Sequence, residues 1–474
     1  MALLAMAQFV VVLDASIVNV ALPTIGLKLD IPRENLSWVV NAYTLVFGGF
    51  LLLGGRLADL LGPRRMFLGG MVLFGAASLA GGFAQSEATL IIARLVQGLG
   101  AAIISPAALS IVTRTFSEGK ERNTALGVWG AVAGSGGAAG VLLGGVLTEY
   151  LSWRWVLFVN VPIAVIVAGL TPRLLVEFRA EGRHRHFDVA GAVTVTAGLA
   201  LLVFTLVDAE SAGWGSVQTL ALIPASLLLL AAFVVIERRQ AAPLVPFGIF
   251  RLKTLRGANI VGLLVGMSLF SMFYFISLYL YFILGKQPMD AGLAYLPLAL
   301  TIILAAGVAS QLVTRLGFKP VLIAGSLFVA AGLYWFSHVS ADGTYVKDVL
   351  GPSLLAAIGL GFSFVPVTIA AVTGTQPSEA GLASGLINTS QQIGGALGLA
   401  ILSTIAIAST NAAMPAGARG PSPQALTEGY QDAFLAGAGF ALLGALLAAT
   451  IISSRDSREM AEAARRGEAV VVPA

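Results

Sequence analysis

Apolar runs of about 20 residues recur along this chain from end to end. That recurrence narrows the folds available. In hydrocarbon a backbone must satisfy its own N–H and C=O groups, and a lone apolar run of that length does so only as a helix. Runs of this kind fall at roughly 3–25, 37–60, 66–84, 88–113, 123–147, 153–175, 188–208, 216–236, 257–284, 291–314, 320–338, 349–374, 382–409 and 431–453. The expected fold is an all-α polytopic membrane protein with fourteen transmembrane helices. Composition agrees: 57% of side chains are apolar and 11% charged, with a mean hydropathy of +0.89. The first run has no basic leader and carries an acid, so it reads as a span rather than a cleavable signal.

The basic residues give the orientation. With both termini inside, 21 Lys and Arg side chains fall in cytoplasmic segments and six in outer loops, the asymmetry that inside loops require. Arg94 is left within a span. An internal repeat sharpens the topology. Gly55 to Gly70 (GRLADLLGPRRMFLGG) aligns with Ser310 to Gly325 at an offset of 255, and Ala125 to Gly140 aligns with Ala383 to Gly398 at 258. Two parallel six-helix repeats with two helices inserted between them follow. The expected organisation is a first bundle over 1–175, two linker helices over 176–250, a second bundle over 251–454 and a cytoplasmic tail over 455–474. Carriers built from two such halves place their sites near the midplane between them.

Asp14, in LDASIVNVALP, is an acid well inside the first span. At the centre of a spanning helix it costs about 2.5–3.5 kcal/mol on insertion scales, and such groups mark proton or substrate paths. Moved between a dry and a wet surrounding, the carboxylate would take up a proton on one side and release it on the other. A static hydrogen-bonded acid is the competing reading.

LDASIVNVALP, GRLADLLGPRR, ARLVQGLGAA (Ala93 to Ala102), WRWVLFVNVPIA (Trp153 to Ala164) and the Gly381 to Gly398 stretch together resemble the fourteen-helix drug/proton antiporters of the major facilitator superfamily, over essentially the whole chain. One position departs: the fifth-helix motif usually reads Gly-Pro, and here Gly140 precedes Val141, with Gly144 and Gly145 retained. The resemblance implies that Arg94 sits beside Asp14 and tunes it in proton coupling; binding backbone carbonyls of the first helix is the structural alternative. Asp59, Arg64 and Arg65 form a candidate cytoplasmic gate, in which the carboxylate caps another helix or pairs with Arg. Retention of the arginines as inside charges is the alternative.

Candidate substrate contacts are Asn19, Gln97, Met267, Phe270, Phe273, Tyr274, Asn388 and Gln392. The aromatic groups suit flat or amphipathic organic molecules, and packing or lipid contact accounts for such residues equally well. Asn41 and Tyr43 read as packing. His184 and His186 sit beside Arg183 and Arg185 in a basic loop without a ligand set, so no metal site is expected. No G-x-x-x-x-G-K loop occurs, which removes ATP as a driver.

The expected function is therefore proton-coupled export of hydrophobic or cationic small molecules, drugs or antibiotics, across the plasma membrane. Its partners would be a drug-like substrate, protons and lipid, with no cofactor and no nucleic acid, acting as a monomer. A nutrient symporter ranks second, since one Asp and one Arg are few charges for a polar cargo. A polytopic enzyme ranks below both, because clustered acids or histidines are missing from the sequence.

Overall fold

A computed structural model describes residues 1–31, 38–116, 120–177, 188–240, 243–376, 379–415 and 421–466. Arg183, His184, Arg185 and His186 lie outside them. The first half holds α1 (Ala2–Leu29), α2 (Trp38–Leu61), α3 (Pro63–Gly82), α4 (Glu87–Thr115), α5 (Lys120–Tyr150) and α6 (Asn160–Leu174, preceded by a turn at Trp155–Phe158). α7 (Val189–Ala212) and α8 (Val217–Glu237) follow. The second half holds α9 (Lys253–Leu278), α10 (Leu296–Leu316), α11 (Phe318–Phe336), α12 (Gly351–Val372), α13 (Ala380–Ala413) and α14 (Pro423–Ile451), and α15 (Ser454–Arg466) is the last element described.

Twelve of these helices are long and apolar enough to cross a membrane. At the two other expected positions, α5 and α7, the described apolar stretches are shorter, Ala139–Tyr150 and Ala190–Leu206. Helix starts follow local chemistry. Ser86, Asp188, Ser216 and Ser422 each accept a first-turn N–H, and prolines open α3 and α14. That cap on α14 carries the helix back to Pro423, through a polar stretch that hydropathy alone leaves in the loop.

The halves share one packing plan. In the first, α1 packs on α5, α2 and α3 pack on α4, and α3 on α6; in the second, α9 packs on α13, α10 and α11 on α12, and α11 on α14. The repeat extends to single atoms. Gly62 and Gly317, at the 255-residue offset, both have positive φ (100° and 87°), a backbone region that favours glycine. Two residues on, Arg64 donates to Pro172 O (2.9 Å) and Lys319 Nζ to Ile452 O (2.8 Å). Each half thus ties its α2–α3 or α10–α11 loop to the end of its own last helix. In the second half α15 adds to the tie. Ser457 accepts from Lys319 N, Asp456 accepts from Thr254, and Arg465 donates to Arg315 O.

These loops mark the basic end of the bundle. Helix irregularities gather at the opposite end: the break between Phe158 and Asn160, the interruption at Tyr295, and π-type turns at Tyr279–Ile283 and Tyr345–Leu350. α7 lies on both halves, against α2 and α13. Trp38 stacks on Phe204 (5.4 Å), and Trp214 donates to Thr404 Oγ1 (2.6 Å).

α1 is held close to α5 by a glycine face. Gly136, Gly140 and Gly144 lie four apart and meet Val12, Leu13, Ser16 and Ile17; a Cβ at Gly140 would lie 2.8 Å from Leu13 O and overlap Ser16 Oγ. Gly140→Val should force α1 from α5 at a cost of about 1–3 kcal/mol. A lower melting temperature in detergent checks this, and an unchanged one refutes it.

Candidate functional site

Asp14 lies at the α1 surface that faces α2, α4 and α6, and it is fully buried together with Arg94, Gln97 and Asn160 (0% exposed each). Arg94 Nη1 donates to Asp14 Oδ2 at 2.5 Å. Oδ1 accepts from Gln97 Nε2 (3.1 Å) and from Asn160 Nδ2 (2.6 Å). Three N–H donors thus surround a carboxylate acting only as an acceptor. The donors are themselves held. Arg94 Nη1 also bonds Gln97 Oε1 (3.0 Å), Arg94 Nε donates to Val39 O (3.0 Å), and Gln97 Nε2 donates to Ser78 Oγ (2.6 Å). The guanidinium sits 4.5 Å over the Tyr43 ring, whose hydroxyl donates to Val11 O (2.9 Å).

Five helices therefore converge on one carboxylate: α1 carries it, α2 supplies Tyr43 and Val39, α3 Ser78, α4 Arg94 and Gln97, and α6 Asn160. The cluster is nearer the end opposite the basic loops. Arg94 is seven positions from the start of α4, about 10 Å at 1.5 Å per residue. Nothing in this conformation brings water to Asp14, which has no exposed surface.

Not every candidate joins it. Gln97, read from sequence as a substrate contact, is committed to Asp14 and Ser78. Asn19 is exposed and donates to Ala15 O (3.4 Å), because five residues along a helix turn a side chain by about 140° from Asp14. Met267 is buried with Gly398 against its backbone; Phe270, 39% exposed, covers Gly395. Phe273 stacks on Tyr295 (5.6 Å), and Tyr274 meets Phe275 edge-on. Asn388 donates to Ser384 O (2.8 Å), while Gln392 is half-buried near Gly48. Asn160, Ser78 and the role of Tyr43 were missed; a lone amide two residues before Pro162 in an apolar run was the available signal for Asn160.

The other polar centre is at the basic end. Asp59, at the end of α2, receives Arg114 Nη2 on Oδ1 (2.8 Å) and Leu382 N on Oδ2 (3.0 Å). Leu382 is in the first turn of α13, whose own N-cap residue Glu379 makes no side-chain cap bond. A carboxylate of the first half thus caps a helix of the second. The arginines beside it in sequence bond elsewhere: Arg64 to Pro172 O, and Arg65, whose side chain is 61% exposed, to Glu177 at 3.7 Å. In place of the Asp59–Arg64–Arg65 grouping, the cation against Asp59 is Arg114, which the last turn of α4 brings alongside the α2 terminus.

An all-helical membrane bundle of two like halves, with a charged pair sealed inside one of them, has the build of a secondary carrier. The chain belongs to the Major Facilitator Superfamily, whose model matches residues 4–399, and it is a transporter rather than an enzyme. It is 42% identical over 445 residues to the cephamycin export protein of Amycolatopsis lactamdurans, covering 93% of this chain and 90% of that one. It is 40% identical over 475 residues to the puromycin resistance protein of Streptomyces alboniger, covering 99% and 93%. The fold matches the human organic anion transporter TETRAN with a TM-score of 0.67 at 16% identity, covering 94% of this chain and 98% of that one.

Asp59→Ala removes the α13 cap and should cost about 0.5–2 kcal/mol. Amide exchange at Leu382 should accelerate about 2- to 30-fold; protection equal to wild type would show that the cap does not hold this turn.

Proposed function

We propose that this protein exports antibiotic-like small molecules in exchange for protons, with Asp14 as the proton carrier. The observation that carries the reading is the Asp14 centre: a titratable group sealed in a membrane bundle, paired to a permanently charged guanidinium. Relatives named for cephamycin export and puromycin resistance support an antibiotic-like cargo. The driving force is adequate. One charge crossing about 100 mV yields about 2.3 kcal/mol, a roughly fiftyfold gradient at about 1.4 kcal/mol per decade.

In this reading the basic end faces the cytoplasm of a cell whose plasma membrane the monomer spans, and no cofactor takes part. Asp59, braced by Arg114, latches the cytoplasmic side by capping α13, and Arg64 and Arg65 support the loop that carries it. When the latch opens, the halves rock and Asp14 meets water. Of the candidates on α9 and α13, Phe270 packs on Gly395 yet stays 39% exposed and Gln392 is half-buried beside Gly48 of the other half, so these two are the substrate contacts this reading favours.

The test uses everted vesicles with a lipophilic cationic dye. Asp14→Asn, at normal expression, should lower proton-driven dye uptake at least about tenfold. Uptake at the wild-type rate would remove Asp14 from the mechanism.

A further inference from the structure

Asn160 is the first residue of α6, directly after the break that separates it from Trp155–Phe158. Its Nδ2 donates to Asp14 Oδ1, and its own Oδ1, also buried, has no donor among the described residues. An amide carries a donor edge and an acceptor edge on one carbon, and a half-turn exchanges them.

The other acceptors at Asp14 already have donors, while Arg94 Nη2 is a buried donor without a partner among the described residues. Arg94 offers only N–H groups. Gln97 Oε1 accepts from Arg94, the Tyr43 hydroxyl donates to Val11 O, and Ser78 Oγ donates to Phe74 O while accepting from Gln97. The titratable and charged groups facing Asp14 are Arg94 from α4 and Tyr43 from α2; α3 and α6 contribute neutral Ser78 and Asn160, and α5 a glycine face. A proton arriving on Asp14 turns an acceptor into an O–H that needs an acceptor of its own, and the uncommitted one is Asn160 Oδ1.

We propose that Asn160 is a positioning residue for the proton: its amide donates Nδ2 to the ionised Asp14 and turns over to offer Oδ1 to the protonated form. The inference rests on the proposed role of Asp14 as proton carrier. It makes α6, at its break, the helix that senses whether the proton is bound. It also accounts for an amide where a small polar residue or a second base would not suffice: one group serves both states of the carboxylate without carrying charge into lipid.

The test compares Asn160→Leu, similar in size and without hydrogen-bonding groups, with Asn160→Asp, which keeps acceptors and loses the donor. Both are assayed in proteoliposomes for proton-driven dye transport across a pH series and for dye exchange without a proton gradient. Asn160→Leu should lose about tenfold in driven transport, and a larger loss there than in exchange marks an effect on the proton step. Asn160→Asp sets a second titratable carboxyl against Asp14 in place of the amide, so the pH midpoint of transport should move away from the wild-type value. Infrared difference spectra give a second readout: the C=O stretch of protonated Asp14, identified by its loss in Asp14→Asn, should shift in Asn160→Leu. Wild-type midpoints, driven rates and stretch in the Asn160 variants, with Asp14→Asn inactive, would overturn the proposal for Asn160 alone. Full activity in Asp14→Asn would overturn both readings.

Discussion

Two opposite charges held 2.5 Å apart without exposed surface set the terms for the first half of this molecule. Removing each from water costs several kcal/mol even after relaxation, and their attraction offsets this only with good geometry and further hydrogen bonds. The surrounding helices supply both. The α5 glycines let α1 approach, α4 presents Arg94 and Gln97 one turn apart, and α2 contributes an aromatic face and a carbonyl to the guanidinium. Taking away either charge would leave the other buried and alone, a loss of about 3–5 kcal/mol in soluble proteins. The cluster therefore both holds the half-bundle together and makes its packing depend on the charge of one carboxylate.

The second polar centre works by a different physics. Asp59 does not neutralise a charge deep in the bundle; it meets the positive end of a helix that belongs to the other half. Such a cap is worth less than the buried pair, and a contact of modest strength suits the latch proposed for it. Arg114 steadies the carboxylate from within its own half, so breaking the junction does not leave Asp59 without a cation.

What the sequence revealed follows from what is expensive in lipid. Asp14, Arg94 and the spans were legible because charge and long apolar runs have few alternative explanations. Neutral polar groups were not, since Ser78 and Asn388 each satisfy a hydrogen bond with their own helix, as such residues do in any span. Asn160 went unnoticed for a different reason: its amide bonds a carboxylate 146 residues away, and one amide in an apolar run does not name its partner. Adjacency misled at the basic end: Arg64 and Arg65 stand near Asp59 in the chain, yet the cation that reaches it is 55 residues away. The aromatic face of α9 was read as cavity or packing with equal weight, and Phe273 and Tyr274 prove to meet aromatic neighbours.

The two ends of the bundle are built to different standards. At the basic end each half is cinched by its own loop, through Gly62 with Arg64 and Gly317 with Lys319, and the second half is further bound by α15. At the far end four helices are interrupted or carry a π-type turn. Helices kink most readily at breaks and π-type turns, so bending would fall at that end. Each half is built like a rod clamped at its foot, stiff where its loop ties it down and pliant at the tip where its helices are broken.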